Sequence, residues 1–145
     1  MSNPIIYQLD WKRIKYFTRK EWEPNADKVN PNLIFTLDAM REFCGKPVMI
    51  HCAFETSGHS ENSYHYQGEA VDFHIKGLDL LEQYLVAEMF NPGGLGVYPY
   101  WNNSGLHFDL RLPKEWRGSR WWRDKEGRYW NLTSQNYKEA FGLKK

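Results

Sequence analysis

The stretch from Ser63 to His74 reads Ser-Tyr-His-Tyr-Gln-Gly-Glu-Ala-Val-Asp-Phe-His and puts an imidazole, His65, and a carboxylate, Asp72, on either side of Gly68. It closes in the alternating run Ala70, Val71, Asp72, Phe73, His74. A strand presents every second side chain on one face, so Ala70, Asp72 and His74 point together while Val71 and Phe73 point into a core. Gly68 lets the chain turn back and bring His65, in the preceding loop or turn, toward Asp72. Imidazole and carboxylate together suit zinc, which takes three protein ligands and keeps an open position where it is catalytic.

The same residues resemble the signature of peptidase family M15, the zinc D-Ala-D-Ala carboxypeptidases and peptidoglycan endopeptidases, whose pattern is Ser-x-His-x-x-Gly-x-Ala-x-Asp. Ser63, His65, Gly68, Ala70 and Asp72 fill every fixed position. The family takes its third ligand from a later segment reading roughly Gly-x-Gly-x-Tyr, a short loop, then His-x-Asp. This chain has Gly94, Gly96 and Tyr98, a turn through Asn102, Asn103 and Gly105, then His107 and Asp109. The similarity runs from about Phe17 to about Trp121. It implies one zinc ion per chain, held by His65, Asp72 and His107, and hydrolysis of an amide by zinc-activated water.

Such a reaction also uses a general base. Related enzymes place a glutamate three residues before the third ligand or a histidine two before it, but Ser104 and Gly105 stand here. The remaining candidates are Asp109, two residues after His107, and His74, two after Asp72. Asp109 equally suits a role behind the metal, orienting the His107 ring. A second departure follows the expected strand Val48 to Ile50, where the family often continues into Ser-Gly-Tyr-Arg. His51, Cys52, Ala53, Phe54 and Glu55 stand here, so a glutamate replaces the arginine that helps hold a substrate carbonyl or carboxylate. Arg111 is the candidate to compensate, and Glu55 is a third candidate base. Ser63 joins Arg111 as a substrate-side residue, although its hydroxyl most simply braces the loop. Cys52 is expected to be buried beside its strand, and His51 and His59 to lie at the surface or behind the ligands.

Several elements must position these groups. The chain has 145 residues, enough for a single α+β domain over 1–145 in which an antiparallel sheet carries the zinc site and helices pack behind it. Residues 1–16 are expected to form an arm or edge strand anchored by Trp11, Ile14 and Phe17. Thr18 and Glu21 have capping-box spacing for a short helix that stops near Pro24. A core helix is expected from Pro31, capped by Asn30 and ended by Gly45, with Leu33, Ile34, Leu37, Met40 and Phe43 at helical spacing. A second is expected over Leu78 to Phe90, with Leu78, Leu81, Leu85 and Met89 inward. Gly94 to Tyr98 and Leu106 to Leu112 form a hairpin. Trp121 to Trp122 and Tyr129 to Trp130 are short strands around an Asp124 to Gly127 turn, before a terminal helix from Ser134 to Phe141.

Composition narrows the partners. A formal charge of +1 argues against a nucleic-acid binder, no stretch approaches the ~20 apolar residues of a membrane span, and Cys44 and Cys52 need not pair. Seven Trp, nine Tyr and eight Phe fill a small core or grip a substrate. The N-terminus shows no signal peptide. The combined reading is a zinc peptidase that cuts an amide in bacterial peptidoglycan, made in the cytoplasm and acting at the cell wall as a phage or prophage endolysin or tail-associated enzyme. The alternatives are a D-Ala-D-Ala carboxypeptidase or dipeptidase, and a wall-binding module that retains zinc without turnover.

Overall fold

The computed structural model describes residues 4–55, 63–111 and 119–143. His59 lies outside them. Helix α1 spans Pro31–Cys44 for the reasons its sequence offers: Asn30 accepts from the Asn32 N–H, Pro31 opens the first turn, and Gly45 ends it in the left-handed region. Its inward stripe is Leu33, Ile34, Leu37 and Met40, all buried, whereas Phe43 is exposed and edge-on to Phe90 at the rim.

Among the described residues, six strands follow in one sheet: β1 Val48–Cys52, β2 Ala70–Ile75, β3 Gly94–Tyr98, β4 Gly105–Asp109, β5 Ser119–Arg123 and β6 Tyr129–Asn131. Their spatial order is β1-β2-β4-β3-β5-β6, antiparallel throughout except for the parallel pair β3 and β5. Strand alternation sends Val71, Phe73 and Ile75, then Leu95 and Val97, Leu106 and Phe108, and Trp122 to the face covered by helices. The opposite face therefore receives Asp72, His74, Tyr98, His107, Asp109 and Trp121. The expected α+β arrangement is the one observed, with one face for the core and one for chemistry.

Four local expectations are corrected. Among the described residues, the N-terminal segment contributes no edge strand but a single turn, Trp11–Arg13, with Ile14 and Phe17 buried behind it. The strand expected to reach Leu112 ends at Asp109. The terminal helix is a single turn, α3 Tyr137–Ala140. Helix α2 spans Leu80–Glu88, and its inward residues are Leu80, Gln83 and Ala87, while Leu85 and Met89 stand 55% and 59% exposed. The cause is a capping box that the apolar spacing does not show: Asp79 accepts from the Glu82 N–H and Glu82 accepts from the Asp79 N–H, which starts the helix two residues late. Gln83 is then held inward by polar bonds. Its carbonyl accepts from the Ile75 N–H, and its amide donates to the carbonyls of Leu78 and Ser104.

Gly68 closes the turn before β2 at φ +69°, and its carbonyl accepts from the Asn30 N–H at 2.8 Å, which ties the turn to the start of α1. A side chain there meets two obstacles: the left-handed backbone, and the Lys28 carbonyl oxygen, which a Cβ would overlap. Gly45, at φ +65°, has open space around it and faces the first obstacle only. Gly45→Ala is expected to cost about 1–2 kcal/mol. Gly68→Ala is expected to cost more, because backbone must move as well; chemical denaturation of the two variants side by side checks the ordering.

Candidate metal centre

The site begins as a single row across the sheet. Asp72 of β2 pairs with His107 of β4, His107 pairs with Gly96 of β3, and Gly96 pairs with Trp121 of β5. On the other side Asp72 pairs with Cys52 of β1, through an irregularity: the register passes from Ile50 opposite Phe73 directly to Cys52 opposite Asp72. Two residues of β1 thus answer one of β2, a bulge at His51 that re-aims the next side chain. Simple alternation would send Cys52 to the core with Val48 and Ile50. The bulge turns it to the site face.

His65 arrives from outside the row. It sits in the short turn Tyr64–Gln67, where the Ser63 hydroxyl accepts from the His65 N–H at 3.2 Å. Its Nδ1 lies 2.6 Å from the Ala53 carbonyl, which fixes the proton there and turns Nε2 to within 3.1 Å of Asp72 Oδ1. His107 is set by the same logic with its nitrogens exchanged. Nε2 lies 2.7 Å from Asp109 Oδ2, and Nδ1 lies 2.9 Å from the same Asp72 Oδ1. Two imidazole nitrogens thus converge on one buried carboxylate oxygen, and each ring has its other nitrogen on a fixed oxygen acceptor. That second bond is the usual device for orienting a metal-ligating histidine. Cys52 Sγ completes the cluster, 3.3 Å from Asp72 Oδ2, and Cys52, His65 and Asp72 each bring a donor atom within 4.8 Å of the others.

Behind His107 the chain of orientation continues. Asp109 is fully buried, and Arg111 donates to it from Nε at 2.9 Å and from Nη2 at 2.6 Å, with a third bond from the Arg111 backbone N–H. The guanidinium is itself flanked by the Tyr64 ring at 4.8 Å and the Trp121 ring at 4.9 Å. This explains the two glycines of β3. A Cβ at Gly94 would stand 2.5 Å from Asp109 and 2.6 Å from Arg111, and one at Gly96 would stand 2.6 Å from the Trp121 indole. With those positions bare, Arg111 and Trp121 lie over β3, and Trp121 packs against His107 at 5.2 Å while donating to the Tyr98 hydroxyl.

The charges follow from this packing. Burial opposes ionisation of Asp72, but bonds from His107 and His65 hold its carboxyl far below the usual range. Asp109 is brought down to about 2 against the same burial penalty by His107 and Arg111. Burial likewise disfavours the His107 cation, yet Asp109 and Asp72 outweigh it and push the imidazole up to about 9. The Cys52 thiol is pushed well above its ordinary value by burial and by Asp72.

Residues 46–116 match the family model described as "Peptidoglycan L,D-endopeptidase MepK". Over that segment the chain is similar to the M15 peptidases. It is 26% identical over 121 residues to the probable peptidoglycan L,D-endopeptidase MepK of Haemophilus influenzae, covering 74% of this chain and 64% of that protein. It is 25% identical over 122 residues to the peptidoglycan L,D-endopeptidase MepK of Escherichia coli K12, covering 75% of this chain and 66% of that protein. The chain thus spans slightly less than two thirds of the length of each of these relatives. M15 peptidases are zinc-dependent, and the donor set fits zinc: two imidazoles pre-oriented by oxygen acceptors, a buried ionised carboxylate and a thiol.

The expected ligands His65, Asp72 and His107 are brought together. Of the other candidates, His74 lies on the same face with its Nδ1 2.7 Å from His51 Nε2. Asp109 stands on the far side of His107 from Asp72, Arg111 is committed to Asp109, and Ser63 serves as the cap of the His65 turn. Glu55 follows β1, and its backbone N–H donates to the His65 carbonyl at 3.3 Å. Cys52 was expected beside its strand and instead faces the ligands; only the bulge, which leaves no mark in the residue pattern, accounts for this. The Tyr64 and Trp121 flanks of Arg111 were also not foreseen.

Two outcomes are expected. Asp109→Ala and Arg111→Gln should each weaken zinc binding by ~10–100-fold, the usual loss when a group orienting a ligand is removed, as read by competition with a fluorescent chelator. Protonated His107 cannot offer Nδ1 to a metal. Zinc affinity should therefore fall by about tenfold per pH unit as pH drops below about 9, with release of a proton on binding. The same competition assay across a pH series reads this slope.

Proposed function

We propose that this chain is a zinc-dependent peptidoglycan L,D-endopeptidase acting at the bacterial cell wall. The observation that carries the reading is the pair of ring-orienting bonds, His65 to Ala53 and His107 to Asp109, which aim two imidazole nitrogens at Asp72. The matched family and relatives supply the substrate class. A zinc ion held by His65, Asp72 and His107 supplies Lewis acidity, polarising a carbonyl and lowering the pKa of a water to about 7. Asp109 and Arg111 act on His107, fixing the ring so that Nδ1 stays aimed at the centre. His74 is the proposed acceptor of the water proton: its pKa is lowered by burial and by Lys76, which keeps the ring neutral near pH 7, and His51 fixes its orientation.

Cutting within a cross-link rather than at a free terminus is favoured by the state of Arg111. A carboxypeptidase must hold a terminal carboxylate, and the arginine on the site face already spends its planar donors on Asp109, while Glu55 occupies the place where the family often has an arginine. Delivery by a phage lysis or tail system is a separate proposal.

The test is mass spectrometry of purified peptidoglycan fragments after incubation. Cross-linked fragments should be converted to two uncross-linked products with gain of one water, the reaction stopping with a chelator and resuming with zinc. Release of terminal alanine alone would indicate a carboxypeptidase, and binding to walls without new products a module. At saturating zinc, His74→Ala should lower turnover by about 10²-fold with zinc affinity nearly unchanged, whereas Asp109→Ala should show its main loss in affinity.

A further inference from the structure

Cys52 is used by none of the roles above, yet it occupies the position in the row next to Asp72. We propose that Cys52 is a fourth protein donor at this centre, so that a thiophilic divalent cation is bound by a Cys-Asp-His-His set. The inference rests on the metal reading of His65, Asp72 and His107 and adds a donor that the family pattern does not contain.

Placement argues for it first. Neighbouring strands stand about 4.8 Å apart, so a row that runs Cys52, Asp72, His107 delivers three donors side by side, with His65 added from the turn beside them. Distances argue for it second. Donors held at about 2.0 Å and 2.3 Å from a tetrahedral zinc stand ~3.5 Å from each other. Cys52 Sγ lies 3.3 Å from Asp72 Oδ2, and the contacts of His65 Nε2 and His107 Nδ1 with Asp72 Oδ1 are 3.1 Å and 2.9 Å. Cys52, His65 and Asp72 each bring a donor atom within 4.8 Å of the others, and His107 adjoins them through Asp72 Oδ1. Cys44, by contrast, ends α1 and contacts the Lys46 carbonyl, away from the row.

Chemistry then says what the extra donor does. On binding, the S–H bond breaks, the sulfur–metal bond forms and the proton leaves to solvent; nothing is oxidised or reduced. A metal-coordinating thiol is deprotonated outright by the charge of the cation. A thiolate shifts preference toward zinc, cobalt and cadmium and away from magnesium and calcium. Four protein donors also close the position that a catalytic zinc keeps open. The thiolate-bound form would then be a resting form of the centre.

Cobalt spectroscopy on the whole chain tests this. Metal-free protein titrated with Co²⁺ should show a near-ultraviolet sulfur-to-cobalt charge-transfer band. The band should persist in Cys44→Ser and vanish in Cys52→Ser, while His65→Ala removes uptake. Stoichiometric cobalt binding with visible bands but no sulfur band overturns the inference and leaves the histidine and aspartate centre standing, as does a sulfur band that survives Cys52→Ser. Absence of any cobalt uptake overturns both readings. Should Cys52→Ser fail to fold, cadmium NMR of the unaltered chain decides: a resonance in the range of sulfur-ligated sites supports the thiolate donor, and one in the nitrogen and oxygen range excludes it.

Discussion

The site depends on His107 being held between two carboxylates. A metal-ligating imidazole must present one nitrogen and be prevented from rotating, and here Asp109 grips Nε2 so that Nδ1 faces Asp72. Asp109 can be fully buried and still ionised because Arg111 is locked to it, and Arg111 can lie flat over the sheet because Tyr64 and Trp121 flank it and β3 presents bare glycines beneath. Each layer answers a cost created by the one before: a buried charge needs a partner, a buried cation needs a surface, and the surface needs room. The Gly-x-Gly pattern is therefore a spatial requirement of residues on neighbouring strands.

Much of this was legible in residue order, because period-2 alternation is strict wherever one face of a strand is buried. Ala70, Asp72 and His74 had to share a face once Val71 and Phe73 went to the core, and the same logic placed His107 with Asp109. Helix α1 was legible too, since Asn30, Pro31 and Gly45 mark its ends and its apolar stripe is wide. What escaped was set by single polar bonds or by a break in the alternation. Helix α2 was assigned the wrong inward face because Asp79 and Glu82 decide where it begins and Gln83, a polar residue, is the one drawn inside. Cys52 was misplaced for a related reason: one extra residue at His51 reverses the parity of everything after it.

The likeness to the matched relatives is modest in identity, yet it falls on the segment containing β1 to β4, which carries every ligand. The departure at Glu55 is local. A glutamate stands where the family often has an arginine, three residues after Cys52. It lies between the bulge and the turn that brings His65 in, so it alters the rim without touching the strands that hold the histidine and aspartate in register.

Strand β4 lies between β2 and β3 in space although it follows both in the chain. A β3–β4 hairpin can close locally, but His107 meets Asp72 only when that hairpin docks along β2, across a separation of 35 residues. The donors are thus scattered until the sheet is complete. Any ion that needs all of them has no high-affinity partner in the unfolded chain, and its binding energy is added wholly to the folded state. Metal supply and resistance to proteolysis are then two readings of one equilibrium, and a cell compartment poor in zinc would hold this protein as a shorter-lived one.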